Sequence, residues 1–512
     1  MSKIKHSLKA KFITQAGLLA LFVGSGCGSP QPASAVETGD ADLMFNGFNQ
    51  TFLVNSSYYK ESIKEAKPMG TWGASLDIMV AEDAYERTGS PEHKALVNEL
   101  CASWLKRTPP PWDWDGWNDD IAWFTLALAR GYRITGNPEF LKQAEYGFDM
   151  AWKRGWDTQY NGGGIWEQQP EKTPKGEKIN KQALSNDGLG MVACVIYQST
   201  GEQKYLDRAT QIYDWVWHNL YDFNTGQVYT GVERDGKVDK GAAVYNQGLF
   251  IEYANTIYQI TGSRTHYNDA KRSLDYAKNN MTKDGIFSND AGYLDTWADT
   301  MARGAGSFVR DNQQWDAYYP WMVSNADAIL KNRRTDTNIT WNGWDQPTPK
   351  DDELKSTKFA GAAAWLQYTP ATKPTKNIAG SHFISQGAFV VDNGSTPTNG
   401  AGAVLWGQNN GQAQKWMFTQ NADKSWNIIS QFSWKALECP GGAATNDLQM
   451  TQSPPRRESN QRWILDEQPD GNYKITNQAS GLSLDSSGNA ANGAKLIQAP
   501  WNGQARQLWT FK

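Results

Sequence analysis

Between residues 80 and 280 the apolar positions recur at three- and four-residue spacing, in pairs of segments separated by Thr-Gly. Segment 81–87 leads into Thr88-Gly89 and is followed by 91–105. Segment 121–134 leads into Thr135-Gly136 and 138–152, segment 191–199 into Thr200-Gly201 and 204–220, and segment 249–260 into Thr261-Gly262 and 267–280. The spacing predicts helical hairpins. Each Gly suits the left-handed residue that closes a helix, and Pro91 and Pro138 suit the first turn of the next. The Thr-Gly pairs lie 47, 65 and 61 residues apart. Stacked helix pairs at such periods predict an α-solenoid or a closed helical toroid. The second segments carry apolar stripes, such as Tyr205, Ala209, Ile212, Tyr213 and Val216, which read as core packing.

The pattern changes after about Tyr368. A Pro/Thr stretch, 369–376, reads as an extended linker. Residues 377–512 alternate in short runs with Gly/Asn turns, which predicts an all-β domain. Gln414-Lys415-Trp416, Gln461-Arg462-Trp463 and Gln507-Leu508-Trp509 recur there at 47 and 46 residues. An acidic residue precedes each Trp at a near-constant offset: Asp392, Glu438 and Asp485. Three in-register copies of Q-x-W resemble the ricin-type β-trefoil lectins. The resemblance implies sugar sites in which a carboxylate takes sugar hydroxyls, an aromatic face covers the ring, and an amide adds polar contacts. In copy one those roles fall on Asp392, Trp406, Asn409 and Gln414, and in copy three on Asp485, Asn502 and Gln507. Copy two has Glu438 and a Ser-Pro-Pro-Arg-Arg run where the aromatic belongs, and reads as degraded.

At the other end, Lys3, Lys5, Lys9 and Lys11 precede a short apolar run, 13–23, and Ala33-Ser34-Ala35 offers a small-residue cleavage site. This is the layout of a signal peptide, 1–35, and predicts a secreted protein. Ser25-Gly26-Cys27 also resembles a lipoprotein box, so a lipid anchor through Cys27 is a second outcome.

Composition narrows the chemistry. Fifty Lys+Arg against 54 Asp+Glu leave a net charge of −4, which argues against a nucleic-acid partner and a polybasic membrane face. Twenty-four Trp with 47 Gly point to flat apolar platforms of the kind sugars use. Besides Cys27, only Cys101, Cys194 and Cys439 occur, so either one Cys101–Cys194 bridge or three free thiols is expected. The five His never fall at i, i+4, and no zinc spacing occurs, so no catalytic metal or cofactor is expected; a carboxylate-bound calcium stays open. Gly188-Leu189-Gly190 follows no strand pattern, which sets nucleotide binding aside. A monomer is expected.

The densest chemical signal is 112–123, which reads Trp-Asp-Trp-Asp-Gly-Trp-Asn-Asp-Asp-Ile-Ala-Trp. Asn118 suits a helix N-cap, and Asp119 and Asp120 then suit the positive end of the helix dipole. Three preceding Trp exceed what a cap needs, and a bowl of Trp112, Trp114, Trp117 and Trp123 around two carboxyls suits a sugar site. The segment resembles glycoside hydrolase family 76, the endo-α-1,6-mannanases. Further matches follow in order: 161–167 (Asn-Gly-Gly-Gly-Ile-Trp-Glu), 181–186 (Lys-Gln-Ala-Leu-Ser-Asn) and 245–248 (Tyr-Asn-Gln-Gly). The resemblance covers 42–368 and implies an (α/α)6 toroid, so the expected architecture is multidomain: an all-α toroid followed by an all-β trefoil.

The resemblance also implies a retaining reaction with Asp119 as nucleophile and Asp120 as acid/base, which needs carboxyls about 5–5.5 Å apart. It places Trp117, Trp123, Asn161, Gly163, Trp166, Glu167, Asn186, Asp187, Tyr245, Asn246 and Gln247 along the substrate cleft. The expected activity is hydrolysis of internal α-1,6 bonds of mannan, with the lectin module holding glycan. A transglycosylase of the same family and a non-catalytic carbohydrate-binding protein are the alternatives. Neither nucleic acid nor nucleotide is an expected partner.

Overall fold

The computed structural model describes residues 36–173, 179–288, 298–374, 378–421, 423–488 and 491–512. The leader 1–35, Cys27 within it, and the linker positions 375–376 lie outside the described residues.

Twelve helices occupy the first part of the described chain. They are α1 (Asp40–Phe52), α2 (Thr71–Thr88), α3 (Pro91–Arg107), α4 (Asn118–Thr135), α5 (Pro138–Gly155) and α6 (Ala183–Thr200), then α7 (Gln203–Asn219), α8 (Val244–Thr261), α9 (Arg264–Asn280), α10 (Ala298–Asp311), α11 (Trp315–Lys331) and α12 (Thr357–Tyr368). The even-numbered helices pack each on the next, and α12 packs back on α2, which closes a ring. The odd-numbered helices lie outside it: α3 on α2, α5 on α4, α7 on α6, α9 on α8, and α1 on α12. Burial explains the division. Helix α6 is buried on every face, as an element enclosed by neighbours must be. Helix α7 buries one stripe, Tyr205, Ala209, Ile212, Tyr213 and Val216, together with Trp215. The closed toroid is the outcome; the open solenoid is not.

The Thr-Gly punctuation does what its chemistry requires. Gly89, Gly136, Gly201 and Gly262 close inner helices at φ of 61°, 74°, 74° and 71°. Each N–H bonds a Tyr carbonyl four residues back: Tyr85, Tyr132, Tyr197 and Tyr258. Pro91 and Pro138 open the following outer helices. Because these four hairpins repeat one turn, α2, α4, α6 and α8 point the same way, and their N-termini share one rim. A three-stranded antiparallel sheet (180–182, 231–233, 238–239) leads into α6 at that rim.

Strands from Gly380–His382 to Thr510–Phe511 form the second part. Trp416, Trp463 and Trp509 are fully buried in its core. Their indole N–H groups donate to the carbonyls of Val391, Leu437 and Leu484 at 2.9, 3.0 and 3.2 Å. The three Gln of the Q-x-W copies play one repeated part. Gln414 donates to Gly407 O and accepts from Asn409 N. Gln461 donates to Pro454 O and accepts from Arg456 N, and Gln507 donates to Pro500 O and accepts from Asn502 N. An equivalent amide in each third of the domain is the threefold repeat of a trefoil in hydrogen-bond form.

The trefoil sits on the C-terminal rim of the inner ring. Arg462 donates to Thr88 O at 3.2 Å, Arg457 to Glu86 O at 3.1 Å, and Tyr85 to Arg456 O. Gln431 donates to Gln259 O near the end of α8. Trp434 joins the apolar core of the helical part. The run read as a degraded sugar site is thus the clamp between the two parts. Cys101, Cys194 and Cys439 are buried and free, which settles the choice left by their number. Among the described residues, no helix is long and apolar enough to cross a membrane.

Candidate active site

The approach to α4 is held from three sides. Trp117 N donates to Asp115 Oδ1 at 2.9 Å. Arg154, from the end of α5, donates to Asp115 O, Trp117 O and Asn118 Oδ1. Asn118 Nδ2 donates to Trp166 O at 2.7 Å. Asn118 is therefore not the cap. The helix begins with it, Trp117 stands at the N-cap without a side-chain bond, and the Asn amide ties the helix to the glycine-rich loop.

Asp119 and Asp120 follow in the first turn. They line a cavity of about 260 Å³ with Trp72, Trp117 and Trp123. The aromatic bowl thus differs from the expected one. Trp112 is fully buried, donates to Thr108 O at 3.0 Å and packs on Trp104 and Phe124, so it is core. Trp114 is exposed and does not line the cavity. Trp72, in the first turn of α2, takes the place on the wall. Its signal was its position at an inner-helix start, the same rim that presents Asp119.

The two carboxyls have different surroundings. Burial pushes Asp119 up, as does Glu167, but its carboxylate also receives the backbone N–H groups of residues 119 and 120, which favour the ionised form. Its Oδ1 is buried without a donor. Asp120 is pushed up by burial, by Asp119 and by Asp115, with no opposing donor or cation. Both carboxyls are pushed up to about 8, so the coupled pair retains proton at neutrality, and the backbone N–H groups at Asp119 are the one influence on the pair that favours ionisation. Glu167 completes a carboxylate row: burial and Asp120 push it up to about 7, and Gln182 donates to its Oε2 at 2.7 Å. The Tyr245 hydroxyl faces Glu167 and Asp119, and after burial these two carboxylates push it up, to about 12.

The remaining cleft candidates divide. Trp123, Trp117, Glu167 and Tyr245 come together with the pair. Asn186 does not face the cavity: its amide is spent on Ile165 N, Ile165 O and Gln182 O. Gln247 is likewise spent on Val228 N, Gly226 O and Ser273 O. Trp166 is buried behind the loop, donating to Asp157 Oδ2 with Lys181 Nζ 4.6 Å from its ring. Lys181 gathers the loop by donating to Asp157 O, Tyr160 O and Gly163 O. Gly163 sits at φ 137°, and a Cβ on neighbouring Gly164 would fall 2.4 Å from the Trp215 ring, so the loop needs glycine there. Asn161 fixes its far end, accepting from Trp215 Nε1 and donating to Glu233 O. Asp187 and Asn246 are buried, and their side-chain polar atoms have no hydrogen-bond partner among the described residues.

In the trefoil the three copies have diverged. Asp392 keeps one bond, from Gly394 N at 2.8 Å, and Trp406 beside it is 42 % exposed. Asn409 Oδ1 accepts Gly411 N. In copy three, Asp485 accepts Ser487 N and lies 3.1 Å from Arg506 Nε. Trp501 is exposed near it in sequence, with Lys474 Nζ 5.6 Å from its ring, and Asn502 Oδ1 accepts Gln504 N. In copy two, Glu438 accepts from Ser453, Thr451 and Gln461. The amides of Gln414 and Gln507 serve their loops, as described above.

Comparison with known proteins agrees with this architecture. The model of Glycosyl hydrolase family 76 matches residues 37–369, and the chain belongs to that family. The model of the Ricin-type beta-trefoil lectin domain-like family matches residues 412–499 and 459–512. Mannan endo-1,6-alpha-mannosidase DCW1 of Saccharomyces cerevisiae is 26 % identical over 276 residues, covering 49 % of this chain and 55 % of that protein. Its namesake in Candida glabrata is 23 % identical over 300 residues, covering 53 % and 60 %. The chain thus spans little more than half the length of these relatives. The GH76A alpha-1,6-mannanase of Salegentibacter sp. HEL1_6 superposes with a TM-score of 0.58 at 20 % identity, covering 65 % of this chain and 98 % of that one. The Lin0763 protein of Listeria innocua gives 0.57 at 21 %, covering 65 % and 96 %. These structural likenesses establish the fold.

Proposed function

We propose that the protein is a retaining glycoside hydrolase that cleaves internal α-1,6-mannosidic bonds of mannan. The observation that carries this is an adjacent carboxyl pair at the floor of a tryptophan-lined cleft: burial pushes both up, backbone N–H groups oppose the rise at Asp119, and Asp119 and Asp115 add to it at Asp120. In the first step Asp119 attacks the anomeric carbon while Asp120 gives its proton to the departing glycosidic oxygen. In the second, Asp120 takes a proton from water as that water displaces Asp119. Trp72, Trp117 and Trp123 offer faces to the sugar rings. The substrate class is supported by relatives named mannan endo-1,6-alpha-mannosidase. It is supported too by the Salegentibacter enzyme, of which an inactive variant replaced at two adjacent aspartates is described in complex with alpha-1,6-mannotetrose.

The trefoil holds glycan through copy one, where among the described residues one oxygen of Asp392 has no donor and Trp406 on the neighbouring strand is exposed. Attachment there raises the effective concentration of chain at the cleft. Secretion follows from the basic and apolar leader, with a lipid anchor at Cys27 as its variant. The test is release of new reducing ends from α-1,6-mannan by the purified protein, with oligomannoside products short of mannose at early times. Longer chains at the expense of shorter ones would indicate transfer, and no change in the polymer would leave a binding protein.

A further inference from the structure

Four consecutive residues of the glycine-rich loop have positive φ: Asn161 at 57°, Gly162 at 69°, Gly163 at 137° and Gly164 at 90°. Holding such a run gives up the freedom glycine has in the unfolded chain, so the surroundings must fix it. Trp215 fixes one end, its indole N–H donating to Asn161 O at 2.8 Å, and Asn186 fixes the other at Ile165. Three further carbonyls of the turn converge on one atom. Lys181 Nζ, on the strand 180–182, donates to Asp157 O, Tyr160 O and Gly163 O at 2.7, 2.7 and 2.5 Å. Three carbonyls need three N–H groups, which an ammonium has and a neutral amine lacks. The side chain is fully buried, with Nζ 4.6 Å from the Trp166 ring and 3.6 Å from Asp157 Oδ2. Burial lowers this ammonium to about 8 and Asp157 opposes the fall, so the group is charged at neutral pH. The residues that follow the turn are stitched to the start of α4. Asn118 Nδ2 donates to Trp166 O and Asn118 N to Glu167 O, each at 2.7 Å.

We propose that Lys181 is a positioning residue for the carboxyl pair: its ammonium holds the glycine-rich turn, and that turn, through Trp166 O, Glu167 O and Asn118, sets the first turn of α4, which presents Asp119 and Asp120. This deepens the hydrolase reading above and rests on it. With no exposed surface, Lys181 does not touch substrate, and its action passes through the backbone. Arg154 grips the same segment from the end of α5, at Asp115 O, Trp117 O and Asn118 Oδ1. The first residue of α4 therefore stands between two holds, one direct from Arg154 and one relayed by the loop. The same strand also sets the carboxylate that the loop delivers. Gln182, next to Lys181, donates to Glu167 Oε2 at 2.7 Å. Arginine does not suit the place of Lys181, because its N–H groups spread along a planar fork while the three carbonyls meet at a point.

The experiment compares Lys181→Met, which keeps the stem and removes the three donors, with the wild-type protein. On α-1,6-mannan kcat is expected to fall about 10²-fold, the scale of a displacement near 1 Å, with KM within about threefold. The loss should be as large on a dinitrophenyl α-1,6-mannobioside, because a displaced pair fails in the attack itself and not only in proton transfer. Hydrogen exchange is read by mass spectrometry, well below the melting temperature of both proteins. Peptides covering 157–167 and 116–121 are expected to exchange faster in the variant, and peptides of α9 to exchange as before. An unchanged kcat would overturn the proposal. So would exchange that is unchanged at 116–121, or that rises equally throughout the chain, since the last marks general destabilisation. The exchange readings need no substrate. They stand even if the wild-type protein leaves mannan uncut, which separates failure of this proposal from failure of the hydrolase reading. Should Lys181→Met not fold, Lys181→Arg keeps the charge and loses the three-way bond. The same losses of kcat and protection are expected of it, and wild-type values of both would overturn the role.

Discussion

The guanidinium of Arg457, in the trefoil, lies 3.7 Å from the carboxylate of Glu86, in the helical ring. Burial raises the Glu86 carboxyl, and Arg457, Arg130, Arg310 and Arg133 together outweigh it, so the group is held well below the usual carboxylate range. Its contribution to stability is present above the ordinary Glu range and is lost only as pH falls through the depressed folded value. Arg457→Ala removes this charge and the donor to Glu86 O. It is expected to cost about 1–3 kcal/mol at neutral pH, less in strong acid. Calorimetry should show a lower or split melting transition, with kcat on short mannosides kept, since Asp119 and Asp120 lie at the other rim. An unaltered melt would mean the two parts hold together without this pair.

The three trefoil copies should be unequal. Among the described residues Asp392 accepts Gly394 N through one oxygen and has no donor to the other, whereas Asp485 is paired with Arg506 and Glu438 accepts from Ser453, Thr451 and Gln461. Asp392→Ala or Trp406→Ala is expected to reduce retention on immobilised mannan about tenfold or more, on the scale of one or two lost charge-assisted bonds or one platform. Glu438→Ala should leave retention unchanged. Equal losses from all three copies in a pull-down at matched concentration would contradict this ranking.

Much of this was legible before any coordinates. The Thr-Gly turns state their own geometry, because a left-handed C-cap needs glycine, and a repeated cap means a repeated hairpin. Q-x-W is legible for the same reason, since both residues serve the backbone of every copy. Side-chain direction was not legible. Trp112 and Trp117 lie five positions apart in one motif, yet one fills the core and the other lines the cleft. Asn186 and Gln247 sit at the correct rim, but their amides are spent on loop backbone. Trp72 was invisible because what brings it to Asp119 is the packing of α2 on α4, a contact between segments nearly fifty residues apart.

The acid pair should destabilise the protein it serves. Asp119 and Asp120 both have raised folded values, mainly from burial. For a carboxyl raised in the folded state, the native protein binds more protons than the unfolded chain between the two values, so stability falls as pH rises through that window. Asp120→Asn removes the titration and keeps the shape. Its melting temperature is therefore expected to exceed that of the wild type at pH 8, and the gap should shrink toward pH 4. A gap independent of pH would show that the pair does not bear this cost.

The catalytic roles make the sharpest forecast. The proposed roles make Asp119 the nucleophile and Asp120 the acid; burial pushes both carboxyls up, and only Asp119 has backbone N–H groups that favour its ionised form. Asp119→Asn deletes the attacking oxygen and should reduce kcat on α-1,6-mannan below detection, with no rescue by added anions. Asp120→Asn deletes the acid, and a loss of about 10²–10⁴-fold is expected. On a dinitrophenyl α-1,6-mannobioside the first step no longer needs a proton, so the Asp120→Asn enzyme should form the glycosyl intermediate and stall. Azide then attacks without a general base, and turnover returns with an α-mannosyl azide product, the retained anomer. An azide-dependent α product from the Asp119→Asn enzyme, with a β product from Asp120→Asn, would reverse the two assignments.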